Sequence, residues 1–425
     1  MKKFIGIFLC VTFLMAIGSQ MTAAKEKLVM WDVMTSNVVK DLLDETAAQF
    51  NKDNPDFELE VVHIQNDPYK TKLKVAMGGG TPPDIFHNWG GGPLKEYIDS
   101  GMVATIDEIK EDLLKTYIPA AFDPATFDGK TYGAPYTGLT GVYFFYRKDI
   151  FAKYNLTPPK TWEELLEVGE TLKKNGIIPI TLGNKTKWPG SFYYMYVADR
   201  VGGADMFLNA LYRKEGGTFE DPAYVKAGEL VQELVKRDFF PKGFNGMEED
   251  VGQSRALIYT GKAAMFLMGN WFIGAANKEA PEVLENIDFF TFPAIEGGKG
   301  DPTNLIGSPG QNYFSIASTS KNKEMALKFL KDYIMSPSYI KFLVDKAGYV
   351  PPVKNASSYV EDPMMKKIAE TFEAAGHVQV YYDQFMSPAM GEKHKDLVQS
   401  LFALTITPEE MAKGHEDAIL EELKQ

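Results

Sequence analysis

The sequence predicts an α/β protein of two lobes, and three observations carry that reading. Strands and helices alternate as β-α-β-α-β from Lys27 to Asn88, the grammar of a parallel sheet with right-handed crossovers. A single hydrophobic core stops growing near ~250–300 residues, and a chain of 425 residues exceeds that. Several apolar runs end in polar or aromatic residues, and open α/β sheets bind ligands outside the carboxyl ends of their strands. The first of these lobes is therefore expected to be a parallel sheet flanked by helices, with ligand at its strand ends.

The chain opens with the pattern of a secretory leader, residues 1–24. Lys2 and Lys3 form a positive start, Phe4 to Ile17 an apolar stretch, and Thr22-Ala23-Ala24 a small-residue cleavage site. The apolar stretch is too short for a membrane anchor, and nothing later reaches ~18 uninterrupted apolar residues. Cys10, the only cysteine, follows Leu9 inside that stretch. A lipid-attachment cysteine follows a small residue at the cleavage point, so no lipid is expected. Removing 24 of 425 residues leaves a mature chain of 401, and losing both lysines moves the formal charge from −12 to −14. An acidic chain without a basic block argues against nucleic acid as a partner.

Lys27 to Trp31 reads as the first strand, followed by a helix with Val38, Val39, Leu42, Leu43, Ala47 and Phe50 on one face. Phe57, Leu59 and Val61 alternate in a second strand, Tyr69 to Met77 is helical, and Asp84 to His87 is a third strand. These strands run out at Asn37, at Asp67, and at Asn88 with Trp89. The glycines Gly90 to Gly92 lack the lysine and hydroxyl of a phosphate loop; they suit close approach of backbone to a ligand or a helix. Farther on, Val142 to Arg147 is a strand and Thr161-Trp-Glu-Glu164 a capping box opening a helix to Lys174. Ile177 to Thr181 is a strand, and Gly183 to Phe192 a polar loop carrying Trp188. Ala263 to Met268 is a short apolar run bounded by glycines, a buried strand. At its end a turn, Gly269-Asn270-Trp271, delivers an amide and an indole together. Strands at Ile287 to Pro293 and Tyr313 to Ala317 precede the carboxy-terminal helices.

Five motifs in order make the chain resemble the extracellular solute-binding proteins of carbohydrate ABC importers, the group that includes maltose-binding protein. They are Ala76 to Ile85 with its Pro83-Asp84, Asp128-Gly-Lys-Thr-Tyr-Gly-Ala-Pro135, Tyr146 to Leu165, Gly261 to Trp271, and Ala326 to Pro352. Trp89-Gly-Gly-Gly92 looks like the branch that takes raffinose-type or xylo-oligosaccharides. The resemblance implies the α/β, two-lobe, type II periplasmic binding protein-like fold: each lobe a mainly parallel sheet flanked by helices, the ligand cleft between the lobes, and strands crossing between them more than once. It puts crossings near Gly133–Tyr136, Ala294–Gly298 and Met335–Ser338. One lobe would then hold 25–135 with 296–336, the other 136–295 with 337–425. It also implies an oligosaccharide ligand, a membrane permease of an ABC importer as partner, a periplasmic monomer without direct membrane insertion, and no cofactor, metal or catalysis.

A sugar has flat C–H faces and a rim of hydroxyls, which aromatic rings and Asp, Asn, Gln or His side chains satisfy respectively. Trp271 and Trp188 are the expected stacking platforms; Asn270 comes with the first. Asn37, Asp67 and Asn88 are the expected hydroxyl partners of the first lobe, with Trp89 either touching ligand or packing beneath the glycines. Asp383 and Gln384 form a polar pair from the last segment. Trp31 and Trp162 are assigned to structure. The competing reading of Trp271 is ordinary core. The competing reading of the whole chain is a glycoside hydrolase, which needs two opposed carboxylates ~5–9.5 Å apart, or a rigid carbohydrate-binding module. No carboxylate falls in a recognisable catalytic motif, and His63, His87, His377, His394 and His415 are scattered without metal-ligand spacing.

Overall fold

The computed structural model describes residues 25–35, 38–310 and 312–424. The leader at 1–24 and Asn37 lie outside them. Two six-stranded sheets, each covered by helices, divide the chain into the two expected lobes.

In the first lobe Glu26–Asp32 pairs in parallel with Phe57–His63 on one side and Ile85–Asn88 on the other. This is the β-α-β-α-β grammar as read. Helix Val38–Asp53 crosses the sheet on Val39, Leu42, Leu43, Ala47 and Phe50, the expected face save the half-buried Val38. The sheet is mixed rather than mainly parallel, because Tyr313–Ala317 enters from the other lobe and runs antiparallel to Ile85–Asn88, Val103–Ala104 and Ala134–Pro135. The second sheet is mixed for the same reason. Its central strand, Thr140–Arg147, arrives from the first lobe and runs antiparallel to Ala263–Gly269, Ile287–Phe290 and Leu305–Ser308. Parallel pairing joins Ala263–Gly269 to Ile178–Thr181 and Leu305–Ser308 to Val378–Gln379.

The chain changes sheets near the first of the implied points and away from the other two. The first crossing runs from Ala134–Pro135 to Thr140, close to the expected place. The second does not fall at Ala294–Gly298, because Leu305–Ser308 still belongs to the second sheet; it lies between Ser308 and Tyr313. The third is gradual and runs through residues 344–360 rather than lying at Met335–Ser338. Tyr339, Ile340, Leu343, Ala347, Tyr349 and Val353 bury into the first lobe's core, while Val344, Val350, Val360, Met365 and Ile368 bury into the second's. These linkers lie side by side, with Tyr136 N donating to Asn312 O at 2.9 Å and Leu139 N to Val350 O at 2.8 Å.

Two local expectations change in detail. At Thr161 the hydroxyl accepts from Glu164 N at 3.2 Å, but the Glu164 carboxylate accepts from Lys160 N rather than from Thr161 N, so the box is half made. A complete capping box opens the helix Pro408–Glu422, between Thr407 and Glu410. Trp162 is buried and donates its indole N–H to Glu233 at 3.2 Å, a structural role as read.

Candidate ligand-binding site

A cleft of about 490 Å³ separates the lobes, within the usual range for small-ligand pockets. The second lobe supplies an aromatic wall. Trp188 and Trp271 lie with ring centroids 6.3 Å apart at 58°, and Phe192 sits 5.5 Å from the first and 6.2 Å from the second. Tyr381 closes the group at 6.5 Å from Trp271. Local backbone explains both indoles. Trp188 is not in a loop: it is the first residue of helix Trp188–Gly202, set by Lys187 at a left-handed φ of 68° and by Pro189. Trp271 likewise begins helix Trp271–Glu279 as soon as strand Ala263–Gly269 ends. Its ring folds back over Gly269, where any Cβ would collide with the indole, so a glycine is required there.

The first lobe answers with Trp89, half-buried, whose ring meets the His87 ring edge-on at 4.3 Å and the Tyr69 ring at 6.2 Å. The Lys70 ammonium stands 5.2 Å from the Trp89 ring centre. Tyr69 donates its hydroxyl to the His87 carbonyl at 2.5 Å, and His87 Nδ1 is bonded to the Tyr136 hydroxyl at 2.8 Å. Burial, and then the nearby Lys70 charge, lower the His87 pKa to about 3, so its ring is neutral. His87 Nε2 and Asn66 Oδ1 are buried cleft-lining atoms with no hydrogen-bond partner among the described residues. Such groups cost stability unless something bonds them.

Charged groups from both lobes ring these aromatics. Asp250 accepts from Trp188 Nε1 at 3.2 Å, and its carboxyl is pushed up to about 6, first by burial and then by the Asp67 charge across the cleft. Burial lowers the Lys70 ammonium, with Lys395 adding to the effect and Asp383 opposing it. Lys395 feels burial too, yet Asp383 and its 2.6 Å ion pair with Glu392 leave its pKa raised. No group of three or more His, Cys, Asp or Glu among the described residues could hold a metal ion.

Of the residues singled out from sequence, Asn88, Trp89, Trp188, Trp271, Asp383 and Gln384 line this cleft. Asn88 is largely spent on structure: its amide donates to Ser315 at 2.8 Å and its oxygen accepts from Gly90 N at 2.9 Å. Asp67 does not line the cleft; it sits at the edge, 3.8 Å from Lys70 Nζ. Asn270 is a correction. It is wholly buried, accepting from Gly141 N at 3.1 Å and donating to Leu139 O at 3.2 Å and Gly348 O at 2.9 Å, so it staples two linkers of the hinge. Asn37 lies outside the described residues. Lys70, Asp250, Phe192, Tyr381 and Lys395 were missed. Lys70 follows Asp67 and Phe192 follows Trp188 by one helical turn, and Tyr381 stands two residues before Asp383, which are legible signals; Asp250 and Lys395 carry none.

The chain matches the model of the bacterial extracellular solute-binding protein family over residues 36–341. It belongs to that family. Among relatives of this solute-binding protein, the maltotriose-binding protein of Pyrococcus abyssi is 29% identical over 381 residues, 86% of this chain and 74% of that one. A solved structure from work on xylan utilization by the thermophilic bacterium Caldanaerobius polysaccharolyticus is 33% identical with a TM-score of 0.85, covering 92% of this chain and 99% of that one. A chitin oligosaccharide binding protein has the same fold, with a TM-score of 0.85 at 24% identity over 93% and 98% of the two chains. No helix among the described residues is long and apolar enough to cross a membrane.

Proposed function

We propose that this solute-binding protein captures an oligosaccharide in the interlobe cleft, closes on it by hinge motion, and delivers it to the membrane permease of an ABC importer. The observation that carries this reading is the pairing of Trp188 and Trp271 on one lobe with Trp89 on the other, across a polar-rimmed gap of about 490 Å³. Apolar ring faces suit the C–H faces of pyranoses. The unpaired His87 Nε2 and Asn66 Oδ1, with Asp250, Asp383 and Gln384, suit their hydroxyls. Asp67 remains an edge residue, reached only by a ligand that extends past Lys70.

The names of its relatives, a maltotriose binder and a chitin oligosaccharide binder, support the same ligand class. The mature chain is proposed to act as a periplasmic monomer, freed from its leader and without lipid, returning its ligand chemically unchanged. The test is a thermal-shift screen against malto-, xylo-, chito- and raffinose-type oligosaccharides, with analysis of the recovered sugar. Ligand at 100 times Kd stabilises by about 2.7 kcal/mol, so binding raises Tm and leaves the sugar intact. Cleaved sugar would mean an enzyme, and an unmoved Tm across the panel would refute the ligand class.

A further inference from the structure

Gly90, Gly91 and Gly92 are not among the residues that line the cleft, and each is crowded. Gly90, at φ 72°, faces Pro124 within its own lobe, and a Cβ there would come 2.8 Å from Pro124 Cβ. Gly91 and Gly92 face the other lobe. They open helix Gly91–Asp99 of the first lobe and lie backbone to backbone against the turn Gln384–Ser387 of the second. A Cβ on Gly91 would collide with the Gln384 carbonyl. One on Gly92 would collide with the Met386 carbonyl and come 2.9 Å from Ser387 N. Real Cβ atoms essentially never approach that closely, so the two turns meet only because these positions have no side chain.

Cleft residues flank the contact on both sides. Trp89 and Pro93 border it on the first lobe, Asp383, Gln384 and Pro388 on the second. The three atoms nearest a Cβ at Gly91, and the three nearest one at Gly92, all belong to the other lobe. The contact therefore exists only while the lobes are together.

We propose that the Gly91–Gly92 turn and the Gln384–Ser387 turn form a latch that sets how far the cleft shuts, so that the closed state needs bare backbone at both glycines. The latch rests on the capture reading given above and adds to it the element that limits closure. Gly92 is the sharper probe, because its φ lies in the ordinary range whereas Gly91 sits at 60°. An added methyl leaves each lobe intact and forces the turns apart.

The test is single-molecule energy transfer between dyes on cysteines placed by Lys52→Cys and Glu229→Cys. These are exposed positions on opposite lobes of a mature chain that has no cysteine of its own. The first comparison is made without ligand. The wild type is expected to populate a minor closed state that Gly92→Ala depletes about tenfold, the scale of a modest overpacking strain. Gly90→Ala is expected to lower Tm while leaving the closed fraction unchanged, because its clash is inside one lobe; if it does not fold, the Gly92 comparison stands alone. With xylotriose, maltotriose and chitotriose as probes, Gly92→Ala is expected to weaken binding about tenfold through faster dissociation. A closed fraction in Gly92→Ala within twofold of wild type overturns the latch, as does a wild type that never closes unliganded. Closed molecules lost in Gly92→Ala, with no saccharide bound by either protein, would uphold the latch and refute the sugar ligand.

Discussion

Trp271 touches both hydrophobic cores and lines the cleft, so its replacement tests stacking and packing at once. Stacking of a flat ring on an indole is worth on the order of 1–3 kcal/mol, by analogy with base–aromatic contacts. Trp271→Ala is expected to weaken sugar binding ten- to a hundredfold or so, with a smaller loss of stability than Trp162→Ala. Trp162 is 2% exposed and should cost about 3–5 kcal/mol while leaving affinity in the folded fraction unchanged. Calorimetry of binding beside melting curves for both variants distinguishes the roles. Asp250 allows a second test. Its folded pKa, about 6, lies above the ordinary aspartate value of 3.8, so between those pH values the folded protein holds a proton that the unfolded chain has lost. Stability from this group is thus full below pH ~4, falls as pH rises to ~6, and is level above. The wild type minus Asp250→Asn difference should follow that curve with an amplitude of at most about 3 kcal/mol, measured by denaturant unfolding from pH 4 to 7.

Elements rather than single residues set up the hinge. Asn270 caps no helix with its side chain; it ties the end of strand Ala263–Gly269 to the linkers at Leu139–Gly141 and Gly348. Asn270→Ala would orphan buried groups on both linkers, at a cost of about 2–4 kcal/mol. The expected result is a lowered denaturation midpoint, with affinity in the folded fraction kept within about threefold, because the amide does not line the cleft. Normal stability with lost affinity would restore Asn270 to the ligand site. The start of helix Pro408–Glu422 offers a control, since neither Thr407 nor Glu410 lines the cleft. Thr407→Ala removes its capping box and should cost about 1 kcal/mol without changing binding.

At the scale of the whole molecule, two mixed sheets joined by adjacent linkers are suited to a hinge about those linkers. Contacts across the cleft include the Gly91–Gly92 turn and an ion pair between Lys278 and Asp41 at 2.9 Å. Small-angle scattering with a bound oligosaccharide should show a smaller radius of gyration than without it. An identical radius at saturation would mean a rigid module. The Lys278–Asp41 pair is exposed, so it should add little to closure, and Lys278→Ala should leave the compaction intact.

What the sequence determined by itself is what local pattern can carry. Apolar periodicity marked the first lobe's strands and the buried face of helix Val38–Asp53. A glycine-bounded apolar run marked the strand before Trp271, and the ordered motifs marked the family. Aromatic residues at strand ends and loops pointed to Trp89, Trp188 and Trp271, which the fold gathers at one cleft. Tertiary structure alone decided where the chain changes lobes, because Leu305–Ser308 and Tyr313–Ala317 are neighbouring short strands that join different sheets through their pairing partners. It also decided that Asn270 belongs to the hinge and Asp250 to the cleft. An amide or a carboxylate carries no mark of its partners, which here come from segments up to 131 residues away. The three glycines make the same point. Their sequence announced close approach, and only the meeting of two lobes revealed what approaches.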